Sequence, residues 1–237
     1  MQLFYAPDMD PAAGRYVLSE EESRHCVRVL RLSPGDSLYL TDGRGTLCRA
    51  EIAEIASRSC TVEFKECTEG FGRRDYFLHV AVAPTKNMDR LEWFVEKATE
   101  IGIDRITPLV CDRSERRTVK TDRLVRVATG AVKQSLKAYH PEIDEPVAFD
   151  EFVSRPFDGQ RYIAHCEEGL PRRSLKGCLV PGGNVSVLIG PEGDFSPGEI
   201  ALASHAGFVP VSLGESRLRT ETAALAAVHS VAFVNEK

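Results

Sequence analysis

The chain reads as an α/β protein, with a C-terminal parallel-sheet domain preceded by a smaller, mostly β domain. Three observations predict this. After Arg73, apolar runs of strand length alternate with amphipathic helical stretches, the pattern that builds a parallel sheet. Before Gly70, short alternating runs are separated by turn residues. Near the C-terminus, two strands break at glycine and resume as helices: SVLIGPEGDFSPGEI (Ser186–Ile200) and VPVSLGESRLRTETAALAAV (Val209–Val228). In open α/β sheets, ligands bind beyond the carboxyl ends of strands, at loops of this kind.

The first domain is placed at residues 1–72, closing at Gly70-Phe71-Gly72-Arg73-Arg74. SLYLTDG (Ser37–Gly43), TLCRAEIAEI (Thr46–Ile55) and SCTVEFKEC (Ser59–Cys67) read as strands, with turns at Pro34-Gly35-Asp36 and Asp42-Gly43. One helix interrupts them. Ser19 caps it and Glu22 completes a capping box ahead of His25, Val29 and Leu30. A small, mostly β barrel follows. Arg24, Arg28 and Arg31 recur at roughly one helical turn and form one basic edge. His25 is given no role.

The second domain spans residues 73–237. FLHVAVAP (Phe77–Pro84) is a buried strand, followed by a helix from about Asn87 to Ile101. Leu91, Phe94, Val95, Ala98 and Ile101 share one stripe of that helix, and Gly102 ends it. Met88 and Trp93 belong to core or interface. DRITPLV (Asp104–Val110) is the next strand, with a helix from Asp122 to about Tyr139 after it. Residues 142–156 give a connection and a short helix. RYIAHCEEG (Arg161–Gly169) is a strand before the two glycine junctions.

In the first junction, Val185, Val187, Leu188 and Ile189 are apolar enough for a strand buried on both faces. Gly190 and Gly193 flank Pro191-Glu192, which lets the backbone turn sharply and admit a ligand against its amides. Ser196, Pro197 and Glu199 supply an N-cap, a first helical proline and a capping box. A tight turn with no ligand has the same signature. In the second junction the strand ends at Gly214, 24 residues after Gly190, and Thr220 caps a helix with small faces at Ala223, Ala224, Ala226 and Ala227. Arg217 and Arg219 flank that helix N-terminus, where the macrodipole disfavours cations. Either an anionic partner sits there, or the two arginines pair with Glu215 and Glu221.

The 237 residues suffice for one or two domains with real cores. A net charge of −5 argues against indiscriminate nucleic-acid binding. The stretch Arg105–His140 nevertheless holds nine basic and three acidic residues, a net of +6, enough to neutralise phosphates locally or to form a solvated helix face. Seven cysteines without a C-x-x-C encourage neither a disulfide framework nor a zinc site. With no signal peptide and no long apolar run, the expected home is the cytoplasm, without membrane or metal.

LIGPEGDFSPGEI and LGESRLRTETAALA together resemble the ribosomal RNA small-subunit methyltransferase E family (RsmE) of the SPOUT superfamily. Supporting stretches are HCVRVLRLSPGD (His25–Asp36), Thr85–Ser114 and KQSLKAYHPEI (Lys133–Ile143), so the likeness covers nearly the whole chain. The resemblance implies a trefoil-knotted SPOUT domain behind a PUA-like RNA-binding barrel, acting as a homodimer on 16S rRNA or the small ribosomal subunit. It implies S-adenosyl-L-methionine as cofactor, held by Leu188, Gly190, Pro191, Gly193, Leu213, Gly214, Leu218 and Thr220. Its reaction, formation of N3-methyluridine, makes Arg219 the first catalytic candidate, with Glu192 and Glu221 as base or orienting carboxylates. Arg24, Arg28, Arg31, Arg113, Arg116, Arg117, Gln134 and Lys137 are the expected RNA contacts. Two departures stand out. Asp194 replaces the second glycine of the family's GPEGG, and Lys137 stands where arginine is common. The same loops also suit a tRNA methyltransferase or a non-catalytic RNA-binding protein, whereas no G-x-G-x-x-G after an early strand supports a dehydrogenase.

Overall fold

The computed structural model describes residues 1–236. Two compact units divide them. One comprises Met1–Arg73 and Thr129–His140; the other comprises Arg74–Ala128 and the chain from Pro141 onward.

In the first unit, β1 (Leu3–Tyr5), β2 (Arg15–Val17), β3 (Ser37–Thr41), β4 (Leu47–Ile55) and β5 (Cys60–Thr68) form one sheet in the order β1-β3-β4-β5-β2. The sheet curls into a half-barrel around Phe4, Leu38, Leu40, Ala50, Ile52 and Val62. The three long runs expected from sequence are β3, β4 and β5. The three-residue strands β1 and β2 are too short to carry a period and had no sequence signal. Ser19 does cap helix α1 (Glu20–Arg24), its hydroxyl accepting from Glu22 N at 3.2 Å. Glu22 does not close the box: its buried carboxylate accepts from Lys133 Nζ at 2.7 Å instead. The helix continues as one π-type turn over His25–Val29 and stops, with Arg31 left-handed at φ 56°. Arg24 and Arg28 therefore stand one turn apart, while Arg31 lies past the helix end.

A further sequence expectation is overturned in this unit. Cys48 and Cys67 face each other across β4 and β5, Cα atoms 4.1 Å apart, and are joined in a disulfide. Strand register brings them together, and register is invisible in their spacing.

The second unit is a parallel sheet with helices on both faces. Its strands are β6 (Leu78–Val82), β7 (Arg105–Val110), β8 (Glu142–Ile143), β9 (Val147–Ala148), β10 (Gln160–Ala164), β11 (Arg173–Ser174), β12 (Val185–Ile189) and β13 (Val209–Ser212). They run in the order β11-β13-β10-β12-β6-β7-β8, with β9 beside β7. Side chains of β6 alternate between two cores. Leu78, Val80 and Val82 join the core under α2 (Met88–Ile101) and α7 (Thr220–Val234). Ala81 and Ala83 join the core under α4 (Phe149–Ser154) and α6 (Pro197–His205). In α2, Asn87 caps the start through Asp89 N, and Gly102 ends the helix where the sequence predicts, at φ 125°. Trp93 is 41% exposed, which excludes it from the core. α5 (Leu175–Cys178) is a single turn.

α3 (Thr121–Gln134) ends five residues short of the expected Tyr139. Leu136 adopts φ 57°, and Ser135 Oγ turns back onto Ala131 O at 2.6 Å. Its final residues belong to the first unit. β10 likewise stops at Ala164 rather than running on to Gly169.

A buried polar chain crosses β6, β7 and the segment after β8. Arg105 forks onto Asp144 through Nε (2.9 Å) and Nη2 (2.7 Å), and the Thr107 hydroxyl donates to the same carboxylate. Its one proton spent, Thr107 Oγ1 accepts from His79 Nε2 at 2.7 Å, which fixes the neutral tautomer of His79. Burial is the main cause lowering the His79 pKa from 6.5 to about 4, against the pull of Asp144. Between those values the unfolded chain takes up a proton that the folded chain refuses. Stability should therefore drop by about 2–3 kcal/mol as pH falls through this window. Asp144, lowered by Arg105 and Thr107 against its own burial, loses its contribution only below its ordinary 3.8. Thermal unfolding of wild type and His79→Gln across pH 4–7 checks this. The variant is expected to show the shallower slope, and parallel slopes would contradict the assignment.

Candidate active site

All the strands of the parallel sheet present their carboxyl ends along one edge. β12 lies between β10 and β6, and β10 lies between β12 and β13. The first glycine junction follows β12 and the second follows β13. One strand separates them, and that strand ends in the His165 loop. The sequence reading placed this loop inside a strand and gave it no role.

The GPEGD turn is braced on several sides. Gly190 is buried, and a Cβ there would lie 3.1 Å from the Phe195 ring and 3.2 Å from Phe195 N. Its glycine is needed for close approach, not for a left-handed backbone. The left-handed residue is Asp194, at φ 62°, a conformation that Asp tolerates better than most residues. Asp194 Oδ1 accepts from Phe195 N at 2.8 Å, and Oδ2 accepts from Cys166 N at 2.6 Å. Ser196 and Glu199 form the expected capping box of α6. Glu199 also accepts from Asp112 N at 2.9 Å, tying the loop after β7 to this turn.

The second junction is joined to the first. Thr220 was expected to cap α7. Arg219 holds the cap position without a side-chain bond, and the Thr220 hydroxyl donates to Gly190 O at 3.1 Å. The main chain of one loop is thus hydrogen-bonded by the helix start of the other. Gly214 is exposed and adopts φ 128°, with no heavy atom within 4 Å of where a Cβ would stand. Leu213 and Leu218 are half-buried beside it.

Arg217 and Arg219 are exposed and have no side-chain partner among the described residues. The ion pairs with Glu215 and Glu221 that sequence allowed do not form. Glu221, 8% exposed, lies 3.8 Å from Arg90 Nε instead. Glu192 is exposed, and its Oε1 accepts from Lys86 N at 3.0 Å. The edge therefore carries an unpaired guanidinium at a helix N-terminus, two carboxylates, a bare glycine turn and a buried imidazole, His165. Pro191 is buried and Gly193 exposed in the turn. Leu188 sits two residues earlier, its side chain in the core with Ile163 and Phe195.

The remaining basic residues divide between the units. Arg113 Nη1 donates to Gly193 O (2.9 Å) and Phe195 O (3.3 Å), bracing the GPEGD turn. Arg116 donates to Lys86 O at 3.0 Å and Arg117 to Asp112 O at 3.2 Å. Gln134 and Lys137 lie in the first unit. There Arg24 and Arg28 line a cleft of about 600 Å³ with Glu20, Glu21, Ser57, Arg58 and Ser59. Arg58 escaped the sequence reading because it sits alone in the turn between two strands.

An RNA methyltransferase domain matches residues 73–232, and an RNA methyltransferase PUA domain matches residues 18–65. The chain belongs to the RNA methyltransferase family. This methyltransferase has the SPOUT-type fold, a trefoil-knotted parallel sheet with an N-terminal PUA-like unit. It is 41% identical to the probable rRNA-methyltransferase of Porphyromonas gingivalis, whose crystal structure superposes with a TM-score of 0.91 over 99% of this chain and 98% of that one. The ribosomal RNA small subunit methyltransferase E of Neisseria gonorrhoeae, solved bound to S-adenosyl methionine, is 25% identical with a TM-score of 0.89, covering 99% and 98%. The enzyme of the same name from Rickettsia conorii is 28% identical over 217 residues, covering 90% of this chain and 88% of that one.

Proposed function

We propose that the protein transfers the methyl group of S-adenosyl-L-methionine to uridine N3 in 16S rRNA of the small ribosomal subunit. The observation that carries this reading is the Thr220–Gly190 bond. It unites two glycine loops into one cradle with Arg219 unpaired at its rim. The cradle suits a nucleoside-bearing donor, since open space surrounds the Cβ position of Gly214 and Gly190 brings the main chain against a packed floor. Leu213, Gly214 and Leu218 line one side, and the Gly190–Gly193 turn lines the other.

When bound, the cofactor supplies an electrophilic methyl on a sulfonium. The protein's own residues must then make uridine N3 nucleophilic. Neutral N3 carries a proton, so negative charge develops over N3 and the flanking carbonyl oxygens as that proton leaves. Arg219 meets that charge with a guanidinium already free of other partners, and donors preset against developing charge are worth several kcal/mol in a dry site. Glu192, whose second oxygen has no partner among the described residues, accepts the proton. Glu221 stays paired with Arg90 and favours the positive start of α7. Arg24, Arg28 and Arg31 hold phosphates of the RNA, and Gln134 and Lys137 extend that contact.

The enzyme works in the cytoplasm as a homodimer, burying Trp93 of α2 and Phe233 of α7, which are 41% and 60% exposed in the single chain. Among the described residues no helix is long and apolar enough to cross a membrane, and no cluster of side chains could hold a metal ion. Mass spectrometry of rRNA from cells lacking the gene tests the reading. N3-methyluridine should vanish from 16S rRNA and return on complementation; its persistence would remove the assignment. Loss from tRNA instead would favour the tRNA reading.

A further inference from the structure

We infer that the His165 side chain is a cofactor-contacting group whose ring hydrogen-bonds the bound S-adenosyl ligand. This rests on the methyltransferase reading and assigns a ligand contact to a loop that the sequence treated as strand. His165 is only 3% exposed, yet neither ring nitrogen has a hydrogen-bond partner. Among the described residues it is the one side chain whose polar atoms are all buried and unsatisfied. Buried polar groups are almost always hydrogen-bonded, so such an exception needs a cause.

Its main chain, by contrast, is fixed on three sides. His165 N donates to Val211 O at 3.4 Å, Arg172 Nη1 donates to His165 O at 2.7 Å, and the next amide, Cys166 N, donates to Asp194 Oδ2 at 2.6 Å. Three anchored main-chain atoms beside an unsatisfied ring describe a held group, not a loose one. Its position is equally specific. His165 is the first residue after β10, the strand between β12 and β13, and so follows the strand that separates the Gly190 turn from the Gly214 turn. Asp194, the residue that departs from the family's paired glycine, clasps the His165 loop to the GPEGD turn. It is a positioning residue for the imidazole.

The ring is suited to a polar ligand group in its neutral form, which offers one donor and one acceptor. Burial holds it below the ordinary 6.5, and Arg172 acts in the same direction. Asp194 and Glu167 oppose them. Neutral imidazole keeps its lone pair at working pH, and acid would remove it.

The test uses the whole protein and S-adenosylhomocysteine as probe. Nitrogen-15 spectra of the histidine rings are recorded during titration, with the His165 signals assigned by their loss in His165→Asn. One His165 nitrogen is expected to move on saturation as it gains a hydrogen bond. Calorimetry of His165→Asn and His165→Phe should show affinity lower by between about fivefold and a hundredfold. Unmoved His165 signals in a saturated wild type, with equal affinities in both variants, would overturn the inference while leaving the methyltransferase reading intact. A wild type that fails to bind the probe would instead bring down both.

Discussion

Replacing Arg219 by alanine is expected to lower methyl transfer by about 10²- to 10³-fold while cofactor affinity stays within about twofold, the loss typical of removing one preset charge-stabilising donor. The split follows from geometry. Arg219 is exposed at the N-cap of α7, and its side chain has no hydrogen bond or ion pair to either turn among the described residues. The proposed cofactor cradle is closed by the Thr220–Gly190 hydrogen bond, which the substitution leaves in place. What disappears is the guanidinium proposed to meet charge on the uridine ring. Arg219→Lys should recover only part of the rate, since an ammonium keeps the charge but lacks the planar fork. Single-turnover rates with an rRNA substrate, alongside calorimetry with S-adenosylhomocysteine, separate the two quantities. Unchanged turnover in Arg219→Ala would remove this residue from the mechanism. A large loss of cofactor affinity would make it a binding residue instead.

The second large effect is structural and lies under the same loop. Phe195→Ala should destabilise the protein by about 3–5 kcal/mol, the usual cost of emptying a fully buried aromatic site. Phe195 is wholly buried, 5.5 Å ring to ring from Phe149, and two of its ring atoms lie 3.1 Å from where a Cβ of Gly190 would stand. The GPEGD turn closes directly over this ring. Its removal therefore leaves a cavity in the core and takes the floor from beneath the cofactor cradle. A fall in the unfolding midpoint of roughly 10 °C is expected for a chain of this size, with weaker binding of S-adenosylhomocysteine at temperatures where the variant is still folded. Phe195→Leu, which refills part of the volume, should lose less of both. A midpoint equal to wild type would mean that the turn rests on something other than this side chain.

Much of the architecture was legible because it depends on local patterns. Alternation in Ser37–Thr41 and the 3.6-residue stripe from Leu91 to Ile101 report a buried face within a few residues of themselves. The capping box of Ser196 and Glu199 is likewise complete within one turn. Errors fell where a distant partner intervened. Glu22 has the spacing of a box residue, but Lys133 claims its carboxylate from 111 residues away. Thr220 has the chemistry of a cap, but the Gly190 carbonyl, 30 residues upstream, takes its hydroxyl. Cys48 and Cys67 show no motif, and only strand register sets them face to face.

The same division runs through the candidate site. Sequence alone determined the fold class, the two glycine junctions and the arginine at a helix start, since each is a short run whose residue types dictate its backbone. Tertiary structure decided that the junctions are bonded to each other, that Arg219 finds no carboxylate, that Arg113 braces a turn, and that His165 lies buried just after the strand between them with its ring unsatisfied. Those facts depend on the order of strands in the sheet, and hydrophobic pattern does not encode strand order: nothing within the short runs of β10, β12 and β13 names a neighbour, and only packing chooses which ends lie side by side.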